Sequence, residues 1–318
     1  MTLPPIQPPS HVAILMGACH GENFLPPQLE SIAAQSYTDW SLWVSDDSRW
    51  PATAKVLERY RQAWGQHRLG GRLHLRTGPK QGFAANFLSL LSAPEINADY
   101  YAFADQDDIW HADKLARAVA ALAMVPADTP ALYTARTRLV DVEGHAFGLS
   151  PAMPRPPGFG NALVQNIAGG NTMVMNAAAR RRLCQTPGGE HTGLHDWWCY
   201  LVISGCGGRV IYDPAPCLDY RQHGANLIGQ RQGWSAWPGR VRRVLLGGHG
   251  CQLDRNLAAL ARITDRLTPH NAQRLEVYQR ARAAGVLRHW QGLRRAGVYR
   301  QSRLGHVAMY LAAMFKRG

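Results

Sequence analysis

The amino-acid sequence predicts an α/β protein: a Rossmann-like, mixed but mainly parallel sheet flanked by helices over residues 1–230, then a basic α-helical extension over 231–318. Three observations predict it. Short apolar runs alternate with helical patterns from His11 onward. Polar and acidic residues gather directly after several of those runs. Net positive charge is confined to the last part of the chain. Strands that alternate with helices build βαβ units, and such units produce parallel pairing.

In order, residues 12–18 read as the first strand, 25–35 as a helix, 42–45 as a strand and 52–64 as a helix. Residues 73–76, 83–91 and 100–103 then repeat the strand, helix, strand alternation. Ligands of open α/β sheets sit beyond the carboxyl ends of the strands. Three of these ends carry functional groups: Cys19-His20-Gly21-Glu22 after the first, Asp46-Asp47-Ser48 after the second, and Ala104-Asp105-Gln106-Asp107-Asp108-Ile109-Trp110 after the fourth. One mouth would collect all three. The Pro- and Gly-rich stretch 151–158 reads as an irregular loop, over that mouth or simply connecting. Residues 171–176 read as a strand, 194–201 as the start of a helix, and 210–212 and 217–220 as two short strands leading into Arg221 and Asn226. From Gln252 the pattern is helical, with Leu253, Leu257, Leu260, Ile263 and Leu267 on one face and Leu304, Val307, Leu311 and Met314 on another.

At 318 residues and 46% hydrophobic content the chain has ample material for a core. Its six cysteines show no paired spacing, so neither a zinc site nor a disulfide framework is expected, and a reducing cytoplasm fits. The Pro-rich start predicts no ordinary signal peptide. Residues 231–318 hold 17 lysines and arginines against three acids, whereas the first 230 residues hold 18 against 19. The apolar run 307–315 is roughly half of the ~20 residues that cross a bilayer, so it would dock on the core or lie in an interface.

The acidic stretch carries the chemistry. Three carboxylates in four positions repel one another unless a cation neutralises them, and Mg²⁺ or Mn²⁺ prefers such oxygens and bridges to diphosphates. The competing reading is a solvated turn that caps the helix beginning near Asp113.

Several motifs occur together in order: VAILMGACHGENFLPPQLESIAAQSYTDWSLWVSDDS, GFAANF, YAFADQDDIWHADKL, HDWW and YRQHGANLIG. Together they make the chain resemble family 2 glycosyltransferases of GT-A fold, especially the bacterial rhamnosyltransferase-like branch, over about residues 11–230. The resemblance implies that Asp105 and Asp107 form the Asp-x-Asp pair, with Asp107 the metal contact and Asp105 serving the ribose or the metal. It implies nucleoside contacts at Ala18, Glu22, Asp46, Asp47, Gly82 and Asn86, although Asp46 and Asp47 also suit a helix cap, and Asn86 a helix surface. Asp196 matches the catalytic carboxylate, a base for the acceptor hydroxyl. His195, Trp197 and Trp198 would then line the acceptor side; alternatively His195 and Asp196 cap a helix and both tryptophans are core. Arg221 would bind diphosphate, and His223 would complete the metal shell or be structural. Two departures touch the nucleoside pocket: Cys19-His20 stands in place of the usual Tyr-Asn, and Ser48-Arg49-Trp50 follows the paired acids.

The resemblance thus implies an inverting, metal-dependent transfer of a sugar, rhamnose from a dTDP donor, to a saccharide or lipid-linked saccharide. The basic tail would hold the enzyme against an anionic membrane surface on its cytoplasmic side; otherwise it is a solvated face of helices packed on the core. A UDP-hexose donor or an inactive nucleotide-sugar binder are the alternatives. Nucleic-acid binding is disfavoured: the basic residues fall in amphipathic helices without a recognisable motif, and the acidic mouth repels phosphate unless metal is present. Spanning segments and a Gln-x-x-Arg-Trp motif are absent, which argues against a processive synthase.

Overall fold

The computed structural model describes residues 10–67, 69–186, 189, 193–222 and 248–315. Its first half comprises β1 (Val12–Ala18), α1 (Leu25–Ala33), β2 (Trp40–Asp46), α2 (Ala52–Gly65), β3 (Leu73–Thr77), α3 (Phe83–Ser92), β4 (Tyr100–Asp105), β5 (Ile109–Trp110), α4 (Lys114–Ala123), β6 (Ala131–Val140) and β7 (Ala146–Leu149). There follow α5 (Phe159–Ala162), β8 (Val174–Asn176), α6 (Ala177–Cys184), α7 (His195–Gly205) and β9 (Arg209–Arg221). The extension holds α8 (Gly248–Ala261), α9 (Pro269–Ala283), α10 (Val286–Arg295) and α11 (Arg303–Phe315).

One nine-stranded sheet runs in the order β3-β2-β1-β4-β8-β6-β9-β5, with β7 added on β6. The first four strands are parallel neighbours, and the register aligns Ala18 with Asp46 and Gly17 with Asp105. β8 runs antiparallel to both β4 and β6, which makes the sheet mixed. Strand periodicity explains the core. Ala13, Leu15, Tyr101 and Phe103 point to one face and pack with α3 and α7, whereas Val12, Ile14, Met16 and Ala102 point to the other, with Leu25 and Leu29 of α1. β1 is therefore covered on both faces, as a near-continuous apolar run in a parallel sheet requires.

Two expected elements differ. Residues 171–176 do not form one strand: a 3₁₀ turn over Gly170–Thr172, closed by Met173 N–H donating to Gly170 O (3.0 Å), precedes the short β8. The two short strands expected at 210–212 and 217–220 are one long strand, β9. Its register against β6 slips between Ala135 and Arg136, opposite Asp213 and Pro216. A bulge admits the prolines, which have no N–H to donate, without ending the strand.

The extension is docked on the core. Leu257, Leu260, Ile263, Leu267, Leu275 and Leu293 share a buried cluster with Phe159 of α5 and Trp197 of α7. Asn271 Nδ2 donates to Ser204 O (3.1 Å) and Gly205 O (3.0 Å) at the end of α7. The first apolar face read from the sequence thus packs inward, even though α8 ends at Ala261 and a 3₁₀ turn spans Thr264–Arg266. The second does not: Leu304, Val307 and Leu311 are exposed. The side chain of Met314 lies outside the described residues. Segment 151–158 is tied to this extension. Arg155 N–H donates to Gln301 Oε1 (2.9 Å) and Tyr299 Oη to Pro156 O (2.6 Å).

Candidate active site

Parallel pairing of β1, β2 and β4 brings their carboxyl ends to one edge of the sheet, where the strand order reverses on either side of β1. Loops there are stitched by side chains. Gln106 donates to Cys19 O (3.0 Å) and accepts from Cys19 N–H (2.8 Å), joining the acidic loop to the loop after β1. Thr53 Oγ1 donates to Glu22 Oε2 (3.0 Å). With the residue's own backbone N–H, that bond holds the Glu22 carboxyl below its ordinary range. Asp46 Oδ1 accepts from Ser48 N–H (2.9 Å), and Asp47 Oδ1 from Lys80 N–H (2.5 Å). Asp47 is thus held by the loop before α3, not by a helix terminus. A Cβ at Gly78 would lie 2.3 Å from Asp47 Oδ1 and 2.9 Å from Asn86 Oδ1, so only glycine lets that loop approach.

Gly82 adopts φ +93° at the start of α3, a conformation glycine tolerates. Asn86 is buried, not a surface position: its Nδ2 donates to Ser45 O (2.9 Å), and its Oδ1 has no hydrogen-bond partner. Ala18 is buried at the end of β1, and its carbonyl accepts from Asp47 N–H (2.8 Å).

The acidic loop follows β4. Gln28 Nε2 donates to Asp105 O (2.9 Å) and fixes its backbone. Asp105 keeps part of its surface in solvent, yet the surrounding protein, then Asp107, then Asp196 push its carboxyl up to about 7. Asp108 is fully buried. Its Oδ2 accepts from Asn171 Nδ2 (2.7 Å), its Oδ1 has no hydrogen-bond partner, and burial raises its carboxyl well above the ordinary range. Lys114, also fully buried, donates to Asn171 O (2.5 Å) with its Nζ 3.4 Å from the Trp110 ring centroid. One buried ammonium stands behind three carboxyls, whose crowding adds to the raised proton affinity of Asp105 and Asp108. Hard oxygen donors with an orphaned buried carboxylate oxygen fit a divalent cation.

Asp196 stands in the first turn of α7. Its Oδ1 accepts from Trp197 N–H (2.6 Å) and its Oδ2 from Gly170 N–H (3.3 Å), with a further side-chain hydrogen bond from Asn166. The helix N-terminus favours the anion, but burial prevails and lifts the carboxyl to about 6. His195 does not line the mouth. Its ring stacks on Phe87 (centroids 4.2 Å apart, planes 17°) with Phe103 at its edge, and burial pushes the imidazole down to about 3. Trp197 donates from Nε1 to Ala162 O (2.7 Å), and both tryptophans are core, 5% and 1% exposed. Neither offers a ring face to an acceptor. The reason is packing: α7 is buried along its whole length.

Arg221, at the end of β9, donates from Nε to Asp107 O (3.3 Å) and lies over the Phe24 ring (5.7 Å). It therefore joins the acidic loop. His223 and Asn226 lie outside the described residues. A hollow of about 400 Å³ lined by His11, Asp39, Ser41, Trp43 and His74 opens at the amino-terminal side of the sheet, away from the acids. Sequence reading missed Gln28, Gln106, Asn166 and Asn171. These are isolated polar residues whose purpose exists only in three dimensions. Lys114 carried a faint signal as a cation just after the acids.

Comparison with known proteins bears on the family and the fold. The family model "Glycosyl transferase family 2" matches residues 13–185, more than half of the chain. A curated relative, "dTDP-rhamnosyl transferase RfbG" of Shigella flexneri, is 26% identical over 226 residues, 67% of this chain and 73% of that protein. Among solved structures, Staphylococcus aureus TarS 1-349 in complex with UDP-GlcNAc aligns with TM-score 0.54 at 14% identity, covering 96% of this chain and 90% of that one. A mannosyltransferase, PcManGT from Pyrobaculum calidifontis, in complex with GDP-Man and Mn²⁺, aligns with TM-score 0.51 at 16% identity, covering 96% and 88%. These structural likenesses bear on the fold.

Proposed function

The chain belongs to glycosyl transferase family 2, and from that premise we propose that it transfers rhamnose from dTDP-rhamnose, with inversion, to a saccharide or lipid-linked saccharide in cell-surface polysaccharide synthesis. One observation carries the mechanism: the turn over Gly170–Thr172 reaches both carboxyls, Gly170 N–H donating to Asp196 Oδ2 (3.3 Å) and Asn171 Nδ2 to Asp108 Oδ2 (2.7 Å), which supports one mouth shared by base and acidic loop. The donor assignment draws on the rhamnosyl transferase relative.

Asp196 accepts the proton of the acceptor hydroxyl as that oxygen attacks the anomeric carbon and the bond to the leaving diphosphate breaks. Its proton affinity suits the task, since a pKa of about 6 leaves it ionised near neutrality yet basic enough to act. Asp105 and Asp107 would hold a divalent cation, Mg²⁺ or Mn²⁺, with Asp108 behind them, and that cation would neutralise charge on the leaving group. Arg221 binds the diphosphate, and Ala18, Glu22, Asp46, Asp47, Gly82 and Asn86 form the nucleoside wall. His195, Trp197 and Trp198 position Asp196 by anchoring α7. The basic extension holds the enzyme at the cytoplasmic surface of a membrane.

Two variants test this. Asp196→Asn should lower transfer by about 10²–10⁴-fold with donor binding retained. Asp107→Ala should abolish Mn²⁺-dependent binding of dTDP in calorimetry. Unchanged transfer in the first removes Asp196 from the mechanism, and a preference for UDP over dTDP moves the donor to a UDP-hexose.

A further inference from the structure

Helices α10 and α11 present an apolar surface that nothing in the described residues covers. On α11, Leu304, Val307, Ala308 and Leu311 recur at helical spacing and face outward, with the leucines 80% and 49% exposed. On α10, Leu287 (80% exposed) and Trp290 (43%) do the same. The Trp290 and Tyr310 rings meet edge to face, 5.7 Å apart, and join the two helices into one patch. The opposite side of α10 is anchored, with His289 and Leu293 buried. A Cβ at Gly292 would lie 2.2 Å from Ala281 Cβ, so α10 sits hard against α9. The outward face is thus a fixed feature of the docked extension.

Isolated exposed apolar residues are ordinary, but a contiguous patch marks a binding surface. Its rim identifies the partner. Arg288, Arg294, Arg295 and Arg303 are exposed around it, and no acid follows Glu276 in the sequence. A second copy of the chain docking face to face would set this basic rim against itself. Among the described residues no helix is long and apolar enough to cross a membrane. The geometry points to an anionic bilayer surface, on which α10 and α11 lie in plane, Leu287, Trp290, Leu304, Val307 and Leu311 entering the headgroup boundary and the arginines engaging anionic headgroups. This deepens the proposed membrane partner by assigning the surface.

Sedimentation of the full chain with phosphatidylcholine vesicles, with and without phosphatidylglycerol, tests it. Binding should require phosphatidylglycerol. It should weaken by about tenfold or more in Leu304→Gln/Val307→Gln/Leu311→Gln, whose exposed positions leave the core intact. Brominated lipid should quench a fluorescence component that Trp290→Phe lacks. Absence of binding to anionic vesicles, equal binding by the triple variant, or a dimer in light scattering that the triple variant disperses would overturn the inference. Vesicle binding is read without donor or acceptor, so its failure and a failure of glycosyl transfer are separate results.

Discussion

At the residue scale the site is governed by burial of charge. Asp196 is lifted to about 6 by burial, against four hydrogen bonds that favour its anion. If it is the base, kcat/KM should rise through about pH 6 to a plateau, and the residual activity of Asp196→Asn should lack that limb; a limb unchanged in the variant assigns it to another group. Lys114 supplies the positive charge behind Asp105 and Asp108. A hydrogen bond from a charged group is worth about 1.5–3 kcal/mol, so Lys114→Met, which removes the buried bond to Asn171 O, should lose stability of that order in urea. Because the carboxylates then lack their internal counter-charge, the stabilisation by Mn²⁺ should be larger than in the wild type.

At the element scale, local signals suffice where one pattern repeats. β1 to β4 and their crossover helices are legible because continuous apolar runs alternate with helical periodicity. β9 is not, because Pro214 and Pro216 read as a break and only pairing with β6 carries the strand across it. A cap shows how one residue serves several elements. Asn176 Oδ1 accepts from Ala179 N–H (2.9 Å) at the start of α6 and from Ala131 N–H (3.0 Å) at the start of β6, while Nδ2 donates to Thr129 O (2.8 Å). Asn176→Ala should therefore cost about 2 kcal/mol, above an ordinary cap, because buried partners lose their bonds. Chemical denaturation measures it, and a cost of a few tenths would show that water replaces the side chain.

At the scale of the whole molecule, the sheet edge concentrates carboxylates whose repulsion opposes folding. Asp105 is held at about 7, above its ordinary 3.8, so the folded chain retains a proton that the unfolded chain releases. Its contribution is therefore most favourable below about pH 4 and is lost as pH rises towards 7. Mn²⁺ should accordingly raise Tm more at pH 7.5 than at pH 5, and Asp105→Asn should shrink that difference. Docking makes a second demand. Leu257, Leu260 and Leu275 complete the cluster around Phe159 and Trp197, so ending the chain at residue 247 should yield a protein that exposes apolar surface, binds hydrophobic dye and unfolds at lower temperature.

The sequence by itself determined the α/β class, the βαβ order, the gathering of Asp46, Asp47, Asp105 and Asp107 at strand ends, and the basic extension. Each rests on periodicity or spacing along the chain, which local physics dictates. Only the tertiary structure decided that His195, Trp197 and Trp198 are packing residues. Composition gives a histidine or tryptophan the same look beside a sugar or inside a core, and burial on all sides of α7 settles it. Tertiary structure alone also recruited Lys114, Asn171 and Gln106, whose hydrogen bonds span 57, 63 and 87 residues. It also turned two similar apolar faces of the extension in opposite directions, because the core had room to bury one of them.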